Sequence, residues 1–388
     1  MYKIATLNKI SPVGLADFTD DYQITEDLNE ANGILVRSQD MLTMDFSPNL
    51  KAIARAGAGV NNIPLDRCAE EGIVVFNTPG ANANAVKELV VAAMLMDARN
   101  LSGALDWVGT LGDEENIAKA VEKGKGQFAG NELFGKSICV IGLGAIGVLV
   151  ANACEDLGMK VTGYAPYMSV LAAHDMSNTI PFVTDLEEIL PKCDYVTVHV
   201  PVSDGTKGMI NADFISKMKD GAVLVNYSRD KLAVEEDVLA ALDSGKLKKY
   251  ITDFPTNKVF GHKNVFYTPH LGASTEEAED NCAKKAVAAL RNYLENGNIE
   301  NSVNMPACSL GKISGCARIC IINKNIPAML GKITGILADL GINIGNMLNK
   351  SRGDYAYTMV DIDSDIDEEK LAKALTVDGI ISVRVLRK

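Results

Sequence analysis

The sequence predicts an α/β protein with two doubly wound, Rossmann-like domains and a C-terminal βαββαβ module of ferredoxin-like topology. Residues 138–147 form an apolar β run that passes directly into the pattern Gly-x-Gly-x-x-Gly. Short apolar runs alternate with helical patterns on both sides of this motif, which is typical of a parallel sheet with crossover helices. From about residue 316 the order changes to strand, helix, strand, strand, helix, strand, which predicts the third, smaller module.

In the first region, apolar runs predict buried parallel strands that begin at Ile34, Leu50 and Ile73. A continuous helical pattern then extends from Ala83 to about Leu105. Between residues 138 and 270 the alternation resumes. The later strands are expected near Val161, Tyr195, Ala222, Tyr250 and Val265, and Ser274 and Glu277 have the spacing of a capping box for a helix that runs to Leu294.

The glycine motif is suited to bind a dinucleotide. Gly142, Gly144 and Gly147 permit a tight turn, close approach of the backbone to a pyrophosphate, and close packing of helix on strand. The helix N-terminus at Ala145 and Ile146 would direct N–H groups at the anion. An ordinary glycine-rich turn from strand to helix is the alternative. We expect the cofactor at this turn and the substrate between the two large domains.

Turn-forming residues at 302–315 predict a linker before the C-terminal module. We assign residues 1–96 with 285–305 to a substrate-binding domain, residues 97–284 to a nucleotide-binding domain, and residues 316–388 to the module. The module's predicted strands begin at Ile319, Ile342, Tyr355 and Ile381, and its helices span Met329 to Leu340 and Glu368 to Leu375.

Composition excludes several classes of function. The net charge of −12 without a basic cluster argues against binding of nucleic acid or an anionic membrane surface. The N-terminus lacks the layout of a signal peptide, and no apolar run reaches the length of a membrane span, so we expect a cytoplasmic protein. The eight cysteines are scattered, which predicts reduced core residues and no metal site; Cys316 and Cys320 fall in a predicted strand.

Two residues that follow predicted strands are candidates for the chemistry. His270 is one of four histidines and is the candidate acid and base, because ligands of doubly wound sheets bind at the carboxyl ends of the strands. Arg229 follows another strand, where its guanidinium group could bind a carboxylate. For both, the alternative is an ordinary solvated loop residue. His199 also ends a strand and is expected to line the cofactor pocket.

Five segments make the chain recognisable: the one that begins at Asn77-Thr-Pro-Gly, the glycine motif, His199-Val-Pro, Asn226-Tyr-Ser-Arg and Thr268-Pro-His-Leu-Gly. Residues 1–300 resemble the D-2-hydroxyacid dehydrogenase family. The resemblance implies reversible hydride transfer between NAD and the C2 carbon of a 2-hydroxy acid. Arg229 would bind the carboxylate and polarise the C2 oxygen, and His270 would take or return the hydroxyl proton.

The same resemblance implies further contacts and a homodimer or homotetramer. The substrate would be a phosphorylated 2-hydroxy acid; dehydrogenation of glycerate or glyoxylate, and a catalytically decayed nucleotide sensor, are the alternatives. The substrate-binding residues would be Arg37, Ser38, Arg55, Ala58 and Gly59. Besides the residues of the glycine motif, those near the cofactor would be Ala165, Pro166, His199, Pro201, Asn226, Ser228 and Asp253.

Two positions depart from the family pattern. Ala165 stands where an acidic residue usually binds the adenosine ribose, and no arginine or lysine follows at once to accept a 2′-phosphate, so NAD is favoured over NADP. Asn257 aligns with the glutamate that usually pairs with the catalytic histidine, and we place it with the catalytic residues. An asparagine can orient His270 but cannot stabilise an imidazolium by charge, so we expect activity at lower pH than in glutamate-bearing relatives.

The C-terminal module resembles an ACT regulatory domain. Such modules commonly pair side by side and bind amino acids, which implies L-serine as a feedback effector. Asn325 and Asn343 fall where the resemblance places effector-binding amides, although asparagine also caps turns and strand ends. Ala328 replaces the usual glycine of the intervening turn.

Overall fold

The computed structural model describes all 388 residues. The strands are β1 (Tyr2–Thr6), β2 (Tyr22–Thr25), β3 (Gly33–Val36), β4 (Ala52–Arg55), β5 (Val74–Phe76), β6 (Ser137–Ile141), β7 (Lys160–Tyr164), β8 (Phe182–Val183), β9 (Tyr195–Val198), β10 (Ala222–Asn226), β11 (Leu247–Thr252), β12 (Val265–Tyr267), β13 (Ala317–Lys324), β14 (Ile344–Arg352), β15 (Tyr355–Ile362) and β16 (Ile380–Arg387). The α-helices are α1 (Pro12–Leu15), α2 (Leu65–Glu70), α3 (Ala83–Ala98), α4 (Leu101–Gly109), α5 (Ile117–Gly124), α6 (Ala145–Asp156), α7 (Val170–Asp175), α8 (Ala212–Lys217), α9 (Glu235–Asp243), α10 (Glu276–Asn296), α11 (Met329–Asp339) and α12 (Glu368–Ala374).

The chain folds into two compact units, residues 1–81 with 279–388 and residues 82–278. The predicted boundary at residue 96 lies near the end of α3, whereas the structure divides the chain before this helix. Val86, Val90 and Met94 explain the difference, because they are buried in the core of the second unit. No helix has both the length and the apolar character needed to cross a bilayer.

The first unit contains a five-stranded parallel sheet of order β2-β1-β3-β4-β5. Helix α10 returns to this sheet and buries Ala286, Val287 and Leu290 in its core. A Cβ atom at Gly33 of β3 would lie about 3 Å from the Leu290 side chain, so the close approach of helix and strand requires glycine.

The second unit contains a seven-stranded parallel sheet of order β12-β11-β10-β9-β6-β7-β8. This is the Rossmann order, extended by one strand, and it confirms the predicted fold class. Strands β9 and β10 are buried along their whole length, as expected when helices cover both faces. The continuous helix predicted from Ala83 to Leu105 is instead two helices, because Asn100 adopts a left-handed conformation (φ 49°) between them.

The C-terminal module is a four-stranded antiparallel sheet of order β14-β15-β13-β16. Its βαββαβ order is the predicted one. Helices α11 and α12 bury Ile333, Leu337 and Leu371 against one face of the sheet. The predicted second strand was wrong in extent: the chain enters β14 only at Ile344 and continues to Arg352.

The other face of this sheet packs on the first domain within the same unit. Arg318 and Asp361 are 0% and 2% exposed and form a two-pronged ion pair at 2.5 and 2.9 Å. The Arg318 guanidinium also donates to the carbonyl oxygens of Asn296, Gly311 and Lys312. It therefore joins the sheet to the last residue of α10 and to the linker, where helix-end carbonyls favour a cation.

Candidate active site

The turn between β6 and α6 has the shape that a pyrophosphate requires. Gly142 has φ 92°, and an added Cβ would collide with the His199 carbonyl group. A Cβ at Gly147 would overlap the Gly142 carbonyl oxygen, whereas the space beside Gly144 is open. No side chain caps α6, which begins at Ala145. Its first N–H groups can therefore bind an anion, and the residues present fit a dinucleotide cofactor.

His199 lies where the strand order of the second sheet reverses, because β9 and β7 flank β6 on opposite sides. Its backbone N–H donates to the Ile141 carbonyl (2.7 Å) and its Nε2 lies 3.0 Å from the Thr197 hydroxyl. The Nδ1 atom is buried and has no hydrogen-bond partner. Burial lowers the pKa of His199 to about 4, so the imidazole at this end of β9 is neutral at pH 7.

The loop after β10 is held by Asn226. This side chain is fully buried; its Nδ2 donates to the Arg229 carbonyl at 2.9 Å, and its Oδ1 accepts from the Ser228 N–H at 3.2 Å. Ser228 in turn donates to the Val200 carbonyl at 2.6 Å. The Asn226 amide thus shapes this loop, and the predicted contact of Asn226 with the cofactor stays a prediction. The Arg229 side chain is exposed and donates to the Ser228 carbonyl.

Asp253 has a comparable role in the loop that carries His270. Its carboxylate is buried, and it accepts from the Thr268 hydroxyl (2.5 Å) and from the N–H groups of Leu271 (2.9 Å) and Gly272 (2.8 Å). Both carboxylate oxygens thereby accept hydrogen bonds within the chain, and the predicted contact of Asp253 with the cofactor stays a prediction. The His270 N–H donates to the Asp253 carbonyl at 3.0 Å. His270 itself is exposed and left-handed, with φ 56°.

The two loops are connected through Thr268. Its hydroxyl lies within hydrogen-bonding distance of Asp253 and, at 3.1 Å, of the Tyr227 hydroxyl. Burial raises the pKa of Tyr227, so the phenol remains a neutral member of this network. We call Asp253, Thr268, Tyr227 and the amides of residues 271 and 272 the Asp253 network. It couples the loop of Arg229 to that of His270.

Asn257 is not hydrogen-bonded to His270. Its side chain is exposed in the loop after β11, and the ring that contacts the imidazole belongs to Phe254, edge to face at 5.1 Å. The predicted catalytic pairing of Asn257 with His270 is therefore not formed here. The edge of an aromatic ring does not supply the negative charge of a carboxylate.

In the first unit, the loop after β4 is held by side chains of the loop after β5. Gly57 has φ 146° and donates its N–H to the Thr78 hydroxyl at 2.8 Å, and Asn77 Nδ2 donates to the Ala58 carbonyl at 2.7 Å. The Arg55 guanidinium group lies against Gly57, where an added Cβ would collide with it. Gly59, which follows Ala58, lies at the end of this loop. A left-handed glycine of this kind shapes the loop beside Arg55.

Arg37 and Ser38 follow β3 and are fixed by a residue that sequence analysis missed. The side-chain oxygen of Asn8 accepts from the N–H groups of residues 37, 38 and 39 at 2.9–3.0 Å. The Arg37 guanidinium forms an ion pair with Glu279 at 2.6 Å. Only the contact itself could have identified Asn8, because a single asparagine after a strand carries no pattern.

The remaining predicted residues lie near ends of elements. Ala165 is buried directly after β7, Pro166 is exposed beside it, and Pro201 is exposed after β9. In the C-terminal module, Asn325 and Asn343 are both exposed, and Asn325 Nδ2 donates to the Gly353 carbonyl at 3.0 Å.

Comparison with known proteins decides the family. Residues 91–272 match the NAD-binding domain of D-isomer-specific 2-hydroxyacid dehydrogenases. A D-3-phosphoglycerate dehydrogenase of Haemophilus influenzae is 32% identical over 95% of this chain and 89% of its own length, and that of Escherichia coli K12 is 32% identical over 95% and 90%. The chain belongs to the D-2-hydroxyacid dehydrogenase family. It is an NAD-dependent enzyme, which removes the hypothesis of a decayed nucleotide sensor.

Solved structures agree with this D-2-hydroxyacid dehydrogenase fold. An NAD⁺-bound 3-phosphoglycerate dehydrogenase of Entamoeba histolytica is 27% identical, with a TM-score of 0.62 over 78% of this chain and 98% of that one. A glyoxylate/hydroxypyruvate reductase of Sinorhizobium meliloti has a TM-score of 0.67 over 78% of this chain and 98% of its own, at 22% identity. At this identity the similarity supports the fold only.

Proposed function

We propose that this dehydrogenase oxidises D-3-phosphoglycerate to 3-phosphohydroxypyruvate, reversibly and with NAD. The observation that carries the proposal is the pair of residues at strand ends, Arg229 and His270, whose loops the Asp253 network joins. Curated relatives of nearly the same length carry that activity in their names. The glycine turn with its free helix N-terminus supplies the complementary site for the cofactor.

In this proposal, His270 removes the proton of the C2 hydroxyl group, and NAD, when bound, accepts the hydride from C2. Arg229 stabilises the negative charge that develops on the C2 oxygen and binds the carboxylate. The loop at Ala58 and Gly59 offers further N–H groups to the carboxylate. Arg55, and less directly Arg37 with its partner Glu279, are proposed to meet the phosphate.

The decisive assay follows NADH oxidation with 3-phosphohydroxypyruvate. We expect turnover that falls by about 10²- to 10⁴-fold in His270→Ala, because a positioned acid and base contributes this much. His174→Ala, a change at an exposed helical histidine, is the matched control and should leave the rate unchanged. Folded protein that binds NADH but reduces only glyoxylate or hydroxypyruvate would support the second candidate, a dehydrogenase for an unphosphorylated acid.

The phosphate assignment has its own test. Arg55→Ala should lower kcat/KM for 3-phosphohydroxypyruvate by about 10²-fold, because a charged hydrogen-bonding partner is removed. With hydroxypyruvate, which lacks the phosphate, the same variant should change little. Equal losses with both substrates would instead indicate a structural role for Arg55.

We also propose that the C-terminal module is an ACT domain and that it binds L-serine. Asn325 is exposed near the turn at Ala328, at the end of the sheet where β13 ends, whereas Asn343 is exposed at the opposite end, where β14 begins. Strand β14 is an exposed edge of the sheet, which suits side-by-side pairing in a homodimer or homotetramer. Calorimetry with serine tests effector binding, and light scattering tests the oligomer. If serine produces no heat of binding and no inhibition, the effector proposal is wrong.

The free cysteines agree with a reducing compartment. All eight are unpaired and seven are buried, as is usual for proteins of the cytoplasm. We therefore propose that the enzyme works there. Activity that survives in reductant and is lost on oxidation would be consistent with this location.

A further inference from the structure

The segment after β7 contains no charged side chain that could select between NAD and NADP. β7 ends at Tyr164, and the next residue with an ionisable group after Tyr167 is His174. In doubly wound folds, an acidic residue about 20 positions after the glycine motif binds the ribose hydroxyls, or an arginine accepts the 2′-phosphate. Ala165 occupies this place and is buried. The hydroxyl of Ser169 is engaged as the cap of α7, accepting from the Ala172 N–H.

The same segment presents an apolar surface instead. Tyr167 is 96% exposed, Val170 89% and Leu171 70%. Their neighbours Met168 and Ala172 turn toward the core of the second unit and anchor the segment. Three large apolar side chains so fully exposed within five residues are unusual on a protein surface unless they contact a ligand or partner. Their place, directly after the second strand of the nucleotide fold, identifies the adenosine half of the cofactor as the occupant.

We propose that Tyr167, Val170 and Leu171 hold the adenosine of the cofactor by apolar contact, and that the ribose 2′ position is not selected by charge. The site consequently accepts NADP(H) nearly as well as NAD(H), which departs from the preference for NAD expected from the absence of a basic residue after Ala165. An acidic residue would favour NAD twice, by accepting hydrogen bonds from the ribose and by repelling the 2′-phosphate. With Ala165 both effects are missing. The inference rests on the NAD-dependent function proposed above and extends it to cofactor choice.

Calorimetric titration of the whole enzyme with NADH and NADPH tests this without any substrate. We expect the two Kd values to differ by less than about 10-fold in the natural protein, and by more than about 10²-fold in Ala165→Asp, since like charges in contact cost several kcal/mol. Ala165→Asn is the matched control, because asparagine is neutral and has the size of aspartate. It should leave the ratio of the two Kd values within about 3-fold of its natural value.

Because Ala165 is buried, a second set of variants uses exposed positions that do not endanger folding. Tyr167→Arg should raise the affinity for NADPH relative to that for NADH by about 10-fold, because the guanidinium group can pair with the 2′-phosphate, while NADH alone should weaken as the aromatic contact is lost. Tyr167→Ala should weaken both nucleotides by about 3- to 10-fold and keep their ratio, as expected for loss of an aromatic contact.

A natural protein that binds NADH more than about 10²-fold tighter than NADPH would overturn the inference, as would a ratio that neither Ala165→Asp nor Tyr167→Arg changes. If Tyr167→Ala and the natural protein bind each nucleotide with equal affinity, then Tyr167 does not make the proposed apolar contact with the adenosine. Failure to bind either nucleotide would overturn the proposed function as well, so the two failures are distinguishable.

Discussion

The loop that carries His270 and the C-terminal module each contain a buried aspartate and a left-handed residue that is not glycine, but they stabilise the aspartate differently. Each buries one aspartate, Asp253 or Asp361, and each contains one non-glycine residue with positive φ, His270 or Ala328. Asp361 is paired with a buried cation, whereas Asp253 is held by one hydroxyl and two backbone N–H groups. The difference indicates that the ion pair of Asp361 secures a fold, whereas the hydrogen bonds of Asp253 shape the loop that carries the proposed acid and base.

The largest effect is expected when the Arg318 ion pair is broken. Arg318→Met would leave the Asp361 charge and several carbonyl groups buried without partners, and should lower the free energy of unfolding by about 3–5 kcal/mol. Thermal melting and hydrogen exchange of residues 316–388 measure this loss. Arg387→Met is the matched control, because this arginine also pairs with two carboxylates, Asp365 and Glu368, but at the surface.

The control should change the melting temperature little. If Arg318→Met melts like the natural protein, then the C-terminal module does not depend on this pair for its attachment to α10. Uniform loss of protection throughout residues 1–81 as well would show that the unit unfolds as one body.

Acid should destabilise the second unit before the first, because His199 lies in the second unit. Because burial lowers the pKa of His199 from 6.5 to about 4, the unfolded chain binds more protons than the folded chain between these values. The stabilisation from neutral His199 is complete above pH 6.5 and is lost as the pH falls toward 4, up to about 3 kcal/mol in all. Hydrogen exchange of the second unit at pH 7 and pH 4.5 measures it.

The Arg318 ion pair should outlast this change. Burial alone would raise the pKa of Asp361, but hydrogen bonds from Arg318 and Ser314 outweigh it, and the pKa lies below its ordinary value of 3.8. Its stabilisation is therefore lost only at still lower pH. His199→Gln should flatten the acid response of the second unit, and an unchanged response would assign it to other groups. His174→Gln, at an exposed position, is the control.

The fold was predictable where local pattern decides it. The glycine turn, the parallel strands and the βαββαβ order depend on periodicity and turn residues close in sequence. Strands β1 and β2 were not predicted, because β1 is only partly buried and β2 is a half-exposed edge. The helix cap was off by one residue: Thr275, not Ser274, accepts from the Ala278 N–H. Either hydroxyl fits the sequence pattern, and only the direction of the incoming loop selects between them.

For the candidate site, the sequence indicated the motif residues but not the residues that support them. Arg229 and His270 were proposed because they follow strands in a recognisable pattern, and their roles stay predictions. That Asn226 and Asp253 hold those loops depends on bonds to residues across neighbouring strands, such as Asp253 to Gly272. Sequence spacing does not specify such contacts. The same applies to Asn8 and Arg318, whose partners lie tens of residues away.

We propose that Asp253 positions His270, and replacement of Asp253 tests this. Asp253→Ala should lower kcat by about 10- to 100-fold, because displacement of a catalytic group by about 1 Å costs this much, and should leave the Kd of NADH within about 3-fold. Asp253→Asn, which retains one acceptor oxygen, should recover part of the rate. Asp220→Ala, at an exposed ion pair, is the control.

A result in which Asp253→Ala weakens NADH binding with kcat unchanged would support the cofactor contact predicted from the sequence. The pH profile gives an independent measurement. If Asp253 only stabilises the fold, its variants should keep the natural profile, whereas a displaced imidazole should shift the basic limb of 3-phosphohydroxypyruvate reduction. Asn257→Glu should leave the same limb nearly unmoved, because residue 257 is exposed and is not hydrogen-bonded to His270.

The smallest effect concerns the left-handed residues. Ala328 has φ 65° at the start of α11 and no side-chain cap. An alanine in this conformation costs roughly 1–2 kcal/mol, and glycine would relieve it at an entropic cost of about 0.5–1 kcal/mol. Ala328→Gly should therefore raise the free energy of unfolding by about 0.5–1 kcal/mol. Ala129→Gly, at an exposed loop alanine with φ −57°, should lower it by a similar amount.

His270→Gly completes the comparison, because it relieves the same backbone strain at φ 56° while removing the proposed acid and base. If strain alone mattered, both glycine variants would be more stable and equally active. We expect the first to be stabilised and inactive and the second to be stabilised and active, since only the turn at His270 places a reacting group. Denaturant unfolding and the NADH assay on the same preparations measure both properties. Loss of stability in Ala328→Gly would mean that the module relies on the Ala328 methyl group for packing.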